Sequence, residues 1–171
     1  MKLQMFAEAV KGSRYIYLYR VYSDRANSVG QRIAFTKDNT RKVSIGADST
    51  KTKDGSIRTP KEPEIEIEAT SILAKDDEFV PSLEECAKAN GLVEIWEVNL
   101  EEPASASNKF AGTYYQGYIT EFDVKSDSDD FVEISMTFGV NGKGVEGDVT
   151  VTADQQEATA YTFTDTSKVS A

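Results

Sequence analysis

The run EIEIEATSI, Glu64–Ile72, sets the class of structure. Ile65, Ile67 and Ala69 alternate with Glu64, Glu66, Glu68 and Thr70. A period of two marks a strand with one face on a core and one in solvent, and here the outer face is acidic. VEISMTFG at 132–139 repeats the pattern, with Val132, Ile134, Met136 and Phe138 opposed to Glu133, Ser135 and Thr137. YIYLYRVYS at 15–23 differs. Tyr15, Tyr17, Tyr19 and Val21 fall on one face and Ile16, Leu18 and Tyr22 on the other, which predicts a strand buried on both sides, by its own core and by a partner. LVEIWEVNL at 92–100, with Trp96 directed to the core, and the aromatic stretch 110–122 predict two more strands. A short one is expected over 32–35.

One helix interrupts the strands. Pro81 suits a first turn, Glu84 and Glu85 are expected near the positive end, and Asn90-Gly91 stops it. Leu83, Cys86 and Ala87 share the face that packs on the sheet. Residues 123–130 read as an acidic turn, GVNGKGVEG at 139–147 as a glycine-rich turn, and 148–171 as one or two strands with a tail at 165–171. The expectation is one mainly β domain over 1–171, a sandwich or open barrel with a flanking α-helix, preceded by an N-terminal arm at 1–12.

Residues 36–63 stand apart. They are polar and broken by Gly46, Gly55, Pro60 and Pro63, and they carry Lys37, Arg41, Lys42, Lys51, Lys53, Arg58 and Lys61. So long a polar segment is either a disordered loop or a hairpin that projects to meet a partner, with Asp54-Gly55 near its turn. The overall charge of −10 hides a matching asymmetry. Residues 1–62 hold 13 basic and 6 acidic side chains, net +7, and 63–171 hold 6 and 23, net −17. A basic arm and an acidic body on one chain suit docking between copies.

The chain has no histidine and a single cysteine, Cys86. That removes His-based acid–base and nucleophile pairs, His-ligated metals and any intrachain disulfide. Cys86 reads as a part-buried helix residue in a reducing compartment. The glycines at 139, 142, 144 and 147 lack the Lys-Ser/Thr of a phosphate loop. Asp123, Asp127, Asp129 and Asp130 lack calcium-loop spacing. The tyrosines at 15, 17, 19, 114, 115 and 118 lack the interleaved cations of a nucleic-acid platform. No segment has the length of a membrane span or the apolar core of a signal peptide, so a soluble, cytoplasmically made protein without cofactor or metal is expected.

Taken in order, YLYRV at 17–21, RIAFTKD at 32–38, TKTKDGSIRTP at 50–60, EIEIEATSILAKDD at 64–77, LVEIWEVNL at 92–100, FAGTYYQGYITEF at 110–122, VEISMTFGVNGKGVEG at 132–147 and YTFTDTSKV at 161–169 resemble the TP901-1 family of bacteriophage major tail proteins. The resemblance implies a tail-tube β-sandwich or open barrel with one flanking helix and a long projecting loop. It implies hexameric rings stacked into a hollow tube that passes double-stranded DNA without binding it specifically. Its partners would be further copies, tail proteins at the tube ends and the tape measure protein, with no membrane contact. The tube would belong to the virion tail and be assembled in the host bacterial cytoplasm. Glu64, Glu66 and Glu68 are then candidates to line the lumen, although 132–139 competes for that place. Lys37, Arg41, Lys42, Lys51, Lys53 and Arg58 are candidates to meet carboxylates of neighbouring subunits. The tube of a phage-derived contractile injector, and a monomeric acidic β-domain that binds a protein or carbohydrate, remain as alternatives.

Overall fold

The computed structural model describes residues 7–157. The eight strands are β1 (Tyr15–Val21), β2 (Thr36–Ser44), β3 (Ala47–Thr52), β4 (Gly55–Pro60), β5 (Glu64–Ile72), β6 (Leu92–Pro103), β7 (Lys109–Lys125) and β8 (Glu133–Thr150). Helix α1 (Phe79–Lys88) lies between β5 and β6, and the short α2 (Ala153–Glu157) follows β8. Six strands form one antiparallel sheet in the order β1-β6-β7-β8-β5-β2, while β3 and β4 form a separate hairpin.

The sheet rolls. Its two edge strands, β1 and β2, belong to opposite ends of the strand order, yet Asn39 of β2 donates to the Tyr19 hydroxyl of β1 at 3.2 Å. Arg41 of β2 likewise reaches Glu97 of β6 at 2.8 Å. The concave side encloses the main core, where Tyr19 stacks on Phe138 at 5.1 Å among Ile67, Ile95, Ile134 and Met136. This is the open-barrel form of the expected fold. Helix α1 adds Val80, Leu83 and Cys86 to the same core.

β1 is buried on both faces for a reason internal to the chain. Tyr17 and Tyr19 enter the main core, and Ile16 and Leu18 enter a second cluster with Val98, Leu100 and Val151. The long strands β7 and β8 make this possible, because their far ends bring Phe110 and Val149 over the outer face of β1 and β6.

Four local expectations change. Residues 32–35 form no strand: only Gln31 bridges Tyr19, and the chain turns at Phe35 with φ 50°. Glu84 and Glu85 do not sit at the positive end of α1 but beside Lys88, at 3.1 and 3.2 Å. That positive end is served by Asp77, which accepts the Phe79 N–H at 2.8 Å. The other end closes as expected, with Asn90 at φ 54° and the Gly91 N–H donated to the Cys86 carbonyl. The stretch 139–147 is no turn but the middle of β8. The ladder jumps from Tyr114↔Val145 to Gln116↔Asn141, so 142–144 bulge opposite Tyr115. Finally, 153–157 is helical rather than extended, and the expected tail at 165–171 lies outside the described residues, as do residues 1–6 of the expected arm.

Candidate self-assembly interface

Residues 36–63 divide into two parts with different jobs. β2 is an edge strand of the main sheet, paired with β5 from Thr36↔Ser71 to Ser44↔Glu64. The hairpin β3–β4 then leaves the sheet, turning at Lys53-Asp54, with Gly55 at φ 133°. Every residue of β3 and β4 is exposed. At about 3.4 Å per residue the hairpin extends about 20 Å.

This division sorts the six candidate cations. Lys37 pairs with Glu133 at 2.6 Å, a contact that raises the ammonium pKa and lowers that of the carboxyl. Arg41 donates to Glu97, a carboxylate only 4% exposed that also accepts the Tyr15 hydroxyl at 3.1 Å and the Tyr17 hydroxyl. Burial, reinforced by the Glu97 hydrogen bond, pushes the Tyr17 phenol well above its usual range. Lys37 and Arg41 thus fasten β2 to the body of their own subunit. Lys42, Lys51, Lys53 and Arg58 make no ion pair among the described residues. Lys51 and Arg58 share one face of the hairpin, Lys53 stands at its turn, and Lys42 lies on the main sheet opposite Glu66.

The acidic candidates form part of a wider face. Glu64, Glu66 and Glu68 point away from the core. Register carries that face across four strands: Thr40–Glu68–Thr137–Glu121 form one row, Lys42–Glu66–Gly139–Tyr118 the next, and Asp38–Thr70–Ser135–Asp123 a third. A bulge at Thr120 puts Glu121 and Asp123 on this side. The competition between 64–72 and 132–139 for one surface therefore dissolves, because the strands are neighbours and present a single face. On it stand Asp38, Glu64, Glu66, Glu68, Glu121, Asp123 and Glu133 against Lys42, Lys125 opposite Glu133, and Lys37, which reaches Glu133 at 2.6 Å. Glu121 and Asp123 escape sequence reading because a bulge shifts their alternation.

A second carboxylate, Glu94, lies on the outer side of β6 and is 1% exposed. Burial alone would raise its pKa, but the hydrogen bonds from Arg20 at 2.6 Å and Tyr114 at 2.7 Å, with the nearby Arg25, hold it below the usual carboxylate value. Arg20 also lies over Trp96 at 5.0 Å. The most buried carboxylates are thus structural ties. Among the described residues no group of acidic and sulfur side chains is placed to hold a metal, and no helix is long and apolar enough to cross a membrane.

A rolled sheet with one broad polar face and a detached hairpin defines a structural protein that acts through extended surfaces. The chain belongs to the phage tail tube protein family, whose sequence profile matches residues 9–146. A protein of Staphylococcus phage phiMR25 described as a tail protein is 30% identical over 129 residues, covering 72% of this chain and 67% of that protein. The fold is similar to the SPP1 tail tube, with a TM-score of 0.67, 16% identity, and 88% of this chain and 84% of that one aligned. It is also similar to the tail of an empty GTA (gene transfer agent) particle refined with C6 symmetry, with a TM-score of 0.62, 10% identity, and 80% and 98% aligned. A chain from the sheath/tube terminator of the PVC extracellular contractile injection system aligns with a TM-score of 0.55, 10% identity, and 83% and 99% coverage.

Proposed function

We propose that this chain assembles into hexameric rings that stack as the hollow tail tube of a long-tailed phage, and that its four-strand acidic face lines the channel for double-stranded DNA. The observation that supports this reading is the face itself: seven carboxylates against three lysines, Lys37 and Lys125 of these beside Glu133 at one end, on a sheet whose other side is core. Duplex DNA carries one negative charge per about 1.7 Å, and cations that neutralise phosphates would hold it in place. A carboxylate wall repels it over a Debye length of about 8 Å at physiological ionic strength, so the DNA slides without adhering. The C6 symmetry of the GTA tail supports six subunits per ring, and family membership supports a structural rather than an enzymatic role.

The hairpin, with Lys51, Lys53 and Arg58, reaches a neighbouring subunit. Lys37 and Arg41 hold its root, and Lys42 tempers the channel face. The further partners are tail proteins at the tube ends and the tape measure protein. The tube belongs to the virion tail and is built in the host bacterial cytoplasm. Within the family, the motif order favours the TP901-1 group.

Negative-stain microscopy of the purified protein is expected to show tubes or stacked rings. A uniform monomer that stays so when supplied with tail-tip complexes as nuclei would instead favour a lone binding domain. Phage carrying Glu64→Lys, Glu66→Lys and Glu68→Lys together should assemble tails that eject DNA slowly or retain it. Normal ejection by that triple variant would remove these residues from the channel wall.

A further inference from the structure

The sheet has two unlike ends. At one, β2 and β5 finish at Ser44↔Glu64, and the hairpin departs. At the other, about 27 Å away along β2 at 3.4 Å per residue, the chain exposes large apolar side chains. Phe35 is 69% exposed and Phe131 74% exposed, with Leu73 and Val124 also open to solvent. Backbone hydrogen bonds gather them: the Ile72 N–H donates to the Phe35 carbonyl at 3.1 Å and the Leu73 N–H to the Val132 carbonyl at 2.9 Å. Phe35 and Phe131 therefore flank the end of β5, and Val124, paired with Ile134, ends β7 beside them. Phe35 also occupies the left-handed region at φ 50°, which is unfavourable for a bulky side chain. Neither the fold of the subunit nor its core explains an aromatic ring held outward in a strained backbone.

We infer that this end, marked by Phe35, Leu73, Val124 and Phe131, is the receiving surface for the β3–β4 hairpin of a second copy in the next ring. The inference rests on the tube reading above and gives its basic arm a destination. Charge complementarity selects the occupant. The loops 73–78 and 126–132 beside the apolar patch carry six carboxylates and one lysine. The hairpin brings Lys51, Lys53 and Arg58 with no ion pair among the described residues, and it displays one large apolar side chain, Ile57, which is also exposed. Ile57 lies on the face opposite Lys51 and Arg58, so apolar and charged contacts come from different sides of one ribbon. Placing donor and receiver at opposite ends of one sheet makes the contact heterologous, and it repeats along an axis without closing. That is the geometry a tube of unlimited length requires.

The test uses three full-length proteins. A receiver variant carries Phe35→Gly and Phe131→Ser, and a donor variant carries Lys51→Glu, Ile57→Ser and Arg58→Glu. Both should fold, the receiver variant with an unchanged or higher Tm because glycine relieves the φ at position 35. Wild type should give tubes, and each variant nothing longer than a single ring. Preassembled rings of the two variants, mixed, retain one sound junction and should give two-ring particles that do not elongate. Tubes of wild-type length from either folded variant would overturn the inference while leaving the tube reading intact. Absence of tubes from wild type under nucleated conditions would overturn both.

Discussion

Glu97 is a carboxylate in a core, and its three donors come from two strands: Tyr15 and Tyr17 from β1, Arg41 from β2. A buried carboxylate that loses a donor keeps its desolvation cost without the compensating contact. Arg41→Ala leaves two phenols in place and removes a partner whose own side chain is partly solvated. The expected loss is about 2 kcal/mol of stability in urea unfolding, in the range for hydrogen bonds to charged groups. A change within about 0.5 kcal/mol, typical of an inert surface site, would show that the pair holds nothing. In the sequence Arg41 is one cation in a run of polar residues. What sets it apart is a partner 56 positions away that becomes its neighbour only when the sheet rolls.

Among the elements, β8 shows where periodicity succeeds and where it stops. Ile134, Met136 and Phe138 alternate and are buried as expected. The glycines that follow read as a turn because glycine is permissive, yet the strand continues through them by bulging. Gly144 has φ 80°, and a Cβ there would stand 2.4 Å from the Tyr115 ring, whereas Gly142, at φ 73°, faces open space. Gly144→Ala should therefore destabilise by about 2 kcal/mol, combining left-handed strain with overpacking, and Gly142→Ala by only about 1 kcal/mol. Equal Tm losses from the two would show that the contact with Tyr115 is not what requires glycine. The hairpin is the converse case. Its turn is legible from Asp54-Gly55, but a polar ribbon with no buried face carries no periodic signal, so the sequence alone leaves both a disordered loop and a projecting hairpin open.

For the molecule as a whole, the four-strand acidic face yields a prediction that the linear chain conceals. Glu121 and Asp123 belong to the same surface as Glu64, Glu66 and Glu68 through the β5–β8–β7 register. Under the channel reading, Glu121→Lys with Asp123→Lys should slow DNA ejection as the β5 triple variant does, with tube length unchanged in micrographs. Ejection kinetics like wild type, measured by dye access to released DNA, would restrict the channel wall to β5. Under the same reading the face and the hairpin are separable: changes on the face are expected to alter transit, and changes on the hairpin to alter length.

Alternation in 64–72 and 132–139, aromatic density in 15–23 and the Asn90-Gly91 stop are enough to predict a mainly β protein with one helix, the uneven charge suits docking between copies, and the motif segments taken in order carry the family resemblance. These are local signals, carried by neighbours within a few residues. Which cations are free to leave the subunit, which carboxylates share one wall, and which apolar residues remain uncovered depend on register, bulges and the roll that brings β2 back toward β1. Those relations join residues far apart in the chain, 20 positions for Asn39 and Tyr19, 56 for Arg41 and Glu97 and 96 for Lys37 and Glu133, and a one-residue bulge reverses the face of every side chain after it, so they emerge only when the chain closes on itself.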